Sequence, residues 1–348
     1  MYKYVFMMMK RGVFMADKKN RTTIYQVAKE ANVSLATVSR VINGKGNVNE
    51  ETAKLVRDAI DKLGYIPSVL ARGLATSYTT NIGIVLPSPN YVYINNIMAG
   101  MMDVCKIYGY SPLIFTFEDV EDAARAVDSV LASRVEGIVV FNSQLTSSDV
   151  AKFTKISLPV VIIGKDKLSI KNGLVDVDYV SELKRFINEE IKGGIKDIYF
   201  LKDPKKDWHM TNGYEEAIVS CVEKSKINLH IIEIADSYNV IYDYFKEKFS
   251  NQKPNHELYI ATRDSLGTAV VNAGLDLGYS VPMDYEVMGI ISTKNSIMSR
   301  PQMSSINVDL YEVGSIAMRM LTKMLTSIVN KKEFIFTTNY IKKETTKF

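Results

Sequence analysis

Cysteine and histidine are scarce in this chain, and neither residue type is arranged for chemistry. The two cysteines, Cys105 and Cys221, form no Cys-x-x-Cys motif, so we predict no disulfide framework and expect a reducing, cytoplasmic environment. The three histidines, His209, His230 and His256, lack the spacing of metal ligands. The sequence therefore predicts neither a metal site nor a cofactor.

Long apolar runs and catalytic motifs are lacking too. No segment has the roughly 18 consecutive apolar residues of a membrane helix. The apolar run within residues 1–10 is shorter than the roughly 7–15 residues of a signal peptide. There is no nucleophile elbow, P-loop or zinc-protease signature, and residues 44–46 form a turn rather than a nucleotide fingerprint. We therefore predict that the protein is not an enzyme and has no membrane partner.

Positive charge is concentrated at one end of the chain. Residues 1–78 contain 13 lysines and arginines against 6 acidic residues, whereas the remainder contains 30 against 33. A basic head on a slightly acidic body predicts that the head binds a polyanion. The missing export signal and this head disfavour an alternative class, the extracytoplasmic solute-binding proteins.

Residues 22–66 contain the start and stop signals of three short helices. Thr23 and Gln26 form a capping box, Ser34 caps a second helix, and Asn49 caps a third that Gly64 ends. Small and branched apolar residues at helical spacing would let the first two helices cross closely. This pattern, on a basic head, predicts a helix-turn-helix DNA-binding domain.

The second of these helices carries side chains suited to DNA. Leu35 and Ala36 would face base edges in the major groove, and Arg40, one turn later, can bond a guanine with both arms of its guanidinium. The hydroxyl and amide side chains suited to phosphate oxygens are Thr37, Ser39 and Asn43. The other predicted DNA contacts of this domain are Thr23, Tyr25 and Ser34.

The rest of the chain alternates apolar strand-like runs with amphipathic helices. Eight strands are predicted, at residues 82–86, 113–117, 137–141, 160–163, 198–201, 230–234, 258–261 and 287–291. Eight strands are more than a single sheet of ordinary size contains. We predict two α/β lobes of parallel sheets flanked by helices, as in periplasmic binding proteins, with the N-lobe at about 79–178 and 309–328 and the C-lobe at about 179–308 and 329–348. Residues 1–21 are expected to be a disordered extension.

Two segments carry a family resemblance. TIYQVAKEANVSLATVSRVING (residues 23–44) and GYIPSVLARGLA (residues 64–75) resemble the LacI/GalR family of bacterial repressors, and the similarity extends to about residue 346. The resemblance implies double-stranded operator DNA as the target. Because one helix-turn-helix reads about half of such a site, we also predict a homodimer, paired through N-lobe helices. The resemblance also implies a hinge helix within residues 67–78, with Leu74 wedged into the minor groove and Ala71, Arg72 and Tyr65 near the DNA.

The interlobe cleft departs from this family. Members that bind sugars or purines usually carry three polar anchors there, and the matching positions here hold Met210, Arg263 and Ser292. Without such groups a polyhydroxyl ligand would leave its hydroxyls unpaired. An altered cleft for another small-molecule effector stays open as an alternative, with candidate contacts at Lys165, Asp178, Trp208, Met210, Arg263 and Asp264.

A second resemblance is to the catabolite-control branch of the family. It rests on MSRPQMSS (residues 298–305) and YEVGSIAMRMLTK (residues 311–323). The resemblance implies a protein corepressor, the phosphocarrier HPr phosphorylated on serine, with Arg300 binding the phosphoserine. The docking helix would run from Tyr93 to about Tyr108. The remaining predicted partner contacts are Met98, Met101, Met102 and Arg319. Ala99 and Met102 depart from that branch, which tends to have an arginine and an acidic residue there.

Overall fold

The computed structural model divides into two compact units, one ending at Thr79 and the other spanning Thr80–Phe348. It describes residues 22–43, 48–65, 79–88, 91–143, 145–164, 173–203, 208–223, 225–326 and 333–348. The predicted extension and hinge helix, with Ala71, Arg72 and Leu74, lie outside the described residues, and so does Lys165.

In the described part of the first unit there are three helices with the predicted ends. They are α1 (Ile24–Glu30), α2 (Leu35–Asn43) and α3 (Glu50–Leu63). The Gln26 side chain accepts the Thr23 backbone N–H at 2.7 Å, and Ser34 Oγ accepts the Thr37 N–H at 3.1 Å. Gly64 ends α3 in the left-handed region, at a φ of +57°. These short-range contacts fix the helix boundaries because each satisfies backbone groups that a helix end leaves unpaired.

A small apolar core holds the three helices together. Val27, Val38 and Val56, one from each helix, are fully buried. Around them pack Ala28, Ala31, Ala59 and Tyr65. Lys62 of α3 forms an ion pair with Glu30 of α1 at 2.6 Å. The packing therefore fixes how α2 projects from the other two helices.

The N-lobe is built on a six-stranded sheet in the order β11-β5-β4-β3-β1-β2, with all pairs parallel. Its strands are β1 (Asn81–Pro87), β2 (Ser111–Phe117), β3 (Gly137–Phe141), β4 (Val160–Ile163), β5 (Gly173–Asp178) and β11 (Glu333–Thr337). Its helices are α4 (Val92–Tyr108), α5 (Val120–Ala132), α6 (Ser147–Thr154) and α12 (Leu310–Leu325).

The C-lobe repeats this design with the sheet order β12-β10-β9-β8-β6-β7, in which only the β10–β12 pair is antiparallel. Its strands are β6 (Asp197–Lys202), β7 (Asn228–Glu233), β8 (Glu257–Arg263), β9 (Tyr285–Ile291), β10 (Ser304–Asn307) and β12 (Asn339–Ile341). Its helices are α7 (Tyr179–Lys192), α8 (Trp208–Val222), α9 (Tyr238–Asn251), α10 (Asp264–Leu275) and α11 (Asn295–Met298). The predicted two-lobed α/β fold is confirmed.

The predicted lobe boundaries need one correction. Residues 333–337 form β11, which pairs with β5 in the N-lobe sheet rather than lying in the C-lobe. The chain crosses back at Thr338, whose hydroxyl donates to the Asp178 carbonyl oxygen at 2.8 Å, next to the first crossing. Strands β5, β10, β11 and β12 were not predicted, because they are short or alternate with polar residues at or near a sheet edge.

Two glycines bring α4 and α12 into close contact. A Cβ atom on Gly314 would stand 1.9 Å from the Ile97 carbonyl oxygen, and one on Gly100 would stand 2.0 Å from the Tyr311 carbonyl oxygen. The backbones therefore touch where no other residue would fit. This contact fixes the middle of α4 against α12.

Candidate DNA interface and interlobe cleft

The outward surface of α2 carries the predicted base-contacting residues. Leu35 is 37% exposed, Ala36 and Arg40 are exposed, and the neighbouring Val38 is fully buried. Ala36 and Arg40 are four residues apart and so lie on the same side of the helix. Tyr25 of α1 is 69% exposed. An apolar patch followed by a guanidinium on an exposed helix suits major-groove binding.

The other predicted DNA contacts differ in how their side chains are used. Thr23 and Ser34 use their hydroxyls as helix caps, and Ser34 Oγ also lies 2.9 Å from Thr37 Oγ1, so these groups orient α1 and α2. Ser39 is half-buried, and the Asn43 side chain is not among the described parts of the chain. The Tyr65 ring, only 9% exposed, packs in the core of the first unit, which leaves a phosphate contact to its hydroxyl alone.

Arg263 occupies the cleft between the lobes. It follows β8 in the C-lobe and forms an ion pair with Asp236, and the two side chains are only 7% and 8% exposed. Its guanidinium carbon lies 4.3 Å from the ring centre of Tyr91 and 5.9 Å from that of Tyr93, at the start of α4 in the N-lobe. A C-lobe cation is thus stacked on N-lobe aromatic rings.

Asp264, the next residue, does not face this cleft. Its side chain is fully buried and accepts hydrogen bonds from the backbone N–H groups of Thr293 and Ser296, at 2.6 and 3.0 Å, and from the Thr293 hydroxyl. Burial raises the pKa of its carboxyl group, and these donors oppose the shift. Asp264 therefore holds the loop after β9, and the expectation that it contacts an effector is corrected.

The other predicted cleft residues have separate local roles. Asp178 caps α7, accepting the Ser181 N–H at 3.0 Å and the Ser181 hydroxyl at 2.6 Å. Met210 is half-buried against the core that runs through both lobes. Trp208 begins α8, but its side chain is outside the described parts.

Three further polar residues lie at the cleft and were not predicted from the sequence. A small pocket at the carboxyl ends of β6, β7 and β8 is lined by Asp203, Thr211 and Asp236 among others. The Asp203 carboxylate accepts the Asp236 N–H at 2.9 Å and so positions that residue. Ligands of open α/β sheets bind at the carboxyl ends of strands, so the positions of Asp203 and Asp236 just after β6 and β7 were a usable signal.

The predicted methionine docking surface on α4 needs correction. Tyr93 and Met101 are 1% and 0% exposed, and Met98 and Met102 are half-buried against the same core. Among the exposed residues of α4, Asn95, Asn96, Asp103 and Lys106 are polar, whereas Ile107 and Tyr108 at its end are 74% and 56% exposed. A partner on this helix would therefore meet polar side chains along most of its length and apolar ones at its carboxyl end.

Arg300 lies exposed in the loop after α11. Its Nη1 donates to the carbonyl oxygens of Ile297 and Ser299, at 2.9 and 2.7 Å. These bonds hold the arginine to its own loop. Ile297 and Met298 beside it are 59% and 68% exposed, and Arg319 is exposed on α12 in the other lobe. Arg300 thus presents a cation next to exposed apolar side chains.

Known proteins match both units. Residues 23–68 match the family model "Bacterial regulatory proteins, lacI family", and residues 188–346 match a periplasmic binding protein-like domain. Catabolite control protein A of Priestia megaterium is 31% identical over 317 residues, covering 87% of this chain and 92% of that protein. The HTH-type transcriptional regulator pepR1 of Lactobacillus delbrueckii subsp. lactis is 30% identical, covering 94% and 98%.

Solved structures agree on the fold. The lac repressor dimer bound to operator and the anti-inducer ONPF superimposes with a TM-score of 0.78 at 21% identity, covering 93% of this chain and 99% of that one. The transcription regulator CcpA of Lactococcus lactis gives a TM-score of 0.63 at 23% identity, covering 77% and 99%.

A helix-turn-helix head and a two-lobed core with a cleft define a DNA-binding transcriptional regulator. The chain belongs to the lacI family of bacterial regulatory proteins, and its relatives there are regulators rather than enzymes. The described helices include none with the length and apolar character needed to span a membrane. Within the same residues, no cluster of three or more acidic, cysteine or histidine side chains could hold a metal ion.

Proposed function

We propose that this protein is a dimeric operator-binding regulator of carbon catabolite control, with a serine-phosphorylated HPr-type protein as its corepressor. One helix-turn-helix contacts about half of a typical operator, so specific affinity requires two heads. Homodimerisation through N-lobe helices would supply the second head.

The exposed guanidinium of Arg300 is the observation that carries the corepressor proposal. A phosphoserine dianion pairs well with the planar donor fork of an arginine. The Arg300 donors now bond two weak acceptors, the carbonyl oxygens of its own loop, which a phosphate could replace. The exposed Ile297 and Met298 would add apolar contact with a protein partner.

Two further features support this assignment. Catabolite control protein A of Priestia megaterium is similar to this chain over nearly its full length. The cleft that would receive a small effector holds the buried Arg263–Asp236 pair. Regulation through an outer surface leaves that buried pair in place, whereas a small ligand in the cleft would have to displace it.

The decisive experiment measures operator affinity with and without serine-phosphorylated HPr for the wild type and Arg300→Glu. A charge-assisted pair made in one state only would shift operator affinity by roughly tenfold to a hundredfold. Arg300→Glu should abolish this response and leave basal DNA binding intact. Arg125→Glu, at an arginine that is 65% exposed on α5, is the matched control and should respond like the wild type. Equal responses of wild type and Arg300→Glu would remove Arg300 from the mechanism.

A small metabolite in the altered cleft is the second candidate. The pocket lined by Asp203, Thr211 and Asp236 favours it, because these polar groups converge at the carboxyl ends of three strands. No response to phosphorylated HPr in either protein, together with calorimetric binding of a sugar phosphate to the core, would establish this candidate instead.

A further inference from the structure

A site suited to a cation lies inside the interlobe cleft, and the side chain of Arg263 occupies it. Tyr91 and Tyr93 stack with ring centres 5.8 Å apart and an interplanar angle of 23°. The Arg263 guanidinium lies over these N-lobe rings, and the Asp236 carboxylate of the C-lobe pairs with it. Two aromatic rings and a carboxylate around one site favour a planar cation, which can stack and pair at once.

The burial of Arg263 and Asp236 makes each of the two charges depend on the other. Arg263 and Asp236 are both more than nine-tenths buried, so either charge alone in the cleft would be costly. The guanidinium offsets the cost of the carboxylate, and the carboxylate offsets that of the guanidinium. Because the rings belong to the N-lobe and the ion pair to the C-lobe, the arrangement exists only while the lobes are close together.

We propose that Tyr91, Tyr93 and Asp236 form a guanidinium receptor, and that Arg263 is its built-in ligand. The chain thereby holds its lobes together without a small molecule in the cleft. This inference deepens the proposed function, since a core closed by its own arginine leaves regulation to an outer surface. It concerns the core alone, however, and can be tested without DNA or a partner protein.

The first test is backbone hydrogen exchange of the full-length protein in segments 91–94 and 234–238, one from each lobe. Arg263→Ala should speed exchange in both segments by about tenfold or more, because it removes the contact that joins them. Arg125→Ala, at an arginine that is 65% exposed on α5 and paired with Asp122, is the matched control and should leave both segments unchanged. Unchanged exchange in Arg263→Ala would overturn the proposal.

Chemical rescue then separates a receptor from ordinary packing. Methylguanidinium at tens of millimolar should restore slow exchange in Arg263→Ala, since it can bind between the two tyrosine rings and Asp236 where the arginine side chain was removed. Methylammonium or sodium chloride at the same concentration should not, because neither offers a planar donor fork. Rescue by all three additives, or by none of them, would contradict a guanidinium receptor.

Two milder variants keep the test decisive if Arg263→Ala does not fold. Tyr91→Leu retains apolar volume and removes the aromatic face, and Asp236→Asn retains shape and removes the charge. Both should speed exchange in the two segments, and methylguanidinium should rescue neither, because Arg263 is still present in both. Failure of both variants to alter exchange would overturn the proposal.

Discussion

The backbone N–H of Lys347 donates to the Glu286 carboxylate at 2.6 Å, which fastens the segment after β12 to a buried acid. Glu286 and Glu190 are each 1% exposed. Within the described residues, one Glu190 carboxylate oxygen, Oε1, has no hydrogen-bond partner. Burial, reinforced by the charge of Glu286, raises the pKa of Glu190 to about 8. A carboxyl group held in this way favours the folded state only while it is protonated.

We therefore predict that the core loses stability as pH rises from about 4.5 to about 8 through the titration of Glu190. Above the ordinary glutamate pKa the unfolded chain releases this proton while the folded chain keeps it, so unfolding is favoured. Glu190→Gln should remove this dependence and stabilise the core at pH 8 by on the order of 2 kcal/mol. Denaturant unfolding at pH 5 and pH 8 checks this.

Glu189→Gln is the matched control, because Glu189 is adjacent in sequence but 44% exposed and paired with Lys192. It should change stability by less than about 0.5 kcal/mol at either pH. A Glu190→Gln protein with the same loss of stability between pH 5 and pH 8 as the wild type would show that another group is responsible.

The crossing of α4 and α12 predicts a strong effect of one methyl group. Gly314→Ala would place a carbon 1.9 Å from the Ile97 carbonyl oxygen, so the two helices must separate. We expect a loss of roughly 1–3 kcal/mol or more in unfolding free energy. Gly213→Ala is the control, since Gly213 lies within α8 with no atom within 4 Å of an added carbon. It should be neutral or stabilising by up to about 1 kcal/mol. Equal melting temperatures for the two variants would show that a methyl group at Gly314 does not force α4 and α12 apart.

The head was predictable from sequence because its signals are local. The Thr23–Gln26 capping box, the Ser34 cap and Gly64 act over three or four residues, and the structure contains each of them. The apolar strands buried on both faces were predictable for a similar reason, since their runs are nearly continuous. Local chemistry thus indicated the class of protein before any three-dimensional information.

The cleft was not predictable, because its contacts join distant parts of the chain. The sequence indicated that Arg263 replaces a family anchor, but not that Asp236 and Tyr91 surround it. Met101 on α4 was misassigned to a surface since an apolar residue on an amphipathic helix suits a core and a docking face equally well. Strand β11 was placed in the wrong lobe because the third crossing was predicted near residue 328, and chain order does not reveal that it comes only after β11, at Thr338.

A substitution at Asp264 can distinguish a structural role in the loop after β9 from a role in ligand binding. Asp264→Ala leaves the Thr293 and Ser296 N–H groups without their buried acceptor, which should cost roughly 2–4 kcal/mol of stability. Because the loop it holds leads to α11 and Arg300, the response to a phosphoserine partner should weaken as well. Operator preference measured at low temperature should be unchanged. An unaltered melting temperature would contradict the structural role assigned to Asp264.

The last prediction concerns the exposed side of α2. Arg40→Ala should cost roughly 1–3 kcal/mol of operator affinity and relax preference at one base position in each half-site, because a bidentate bond to guanine is lost. Ser39→Ala should weaken binding to all sequences more evenly, as expected for a phosphate contact. Arg57→Ala is the charge-matched control: Arg57 is 59% exposed on α3 and bonded to Glu50 at 2.9 Å. It should leave base preference intact. Binding-site selection with the four proteins distinguishes these outcomes, and an Arg40→Ala protein with unchanged affinity and preference would mean that α2 is not the helix that enters the groove.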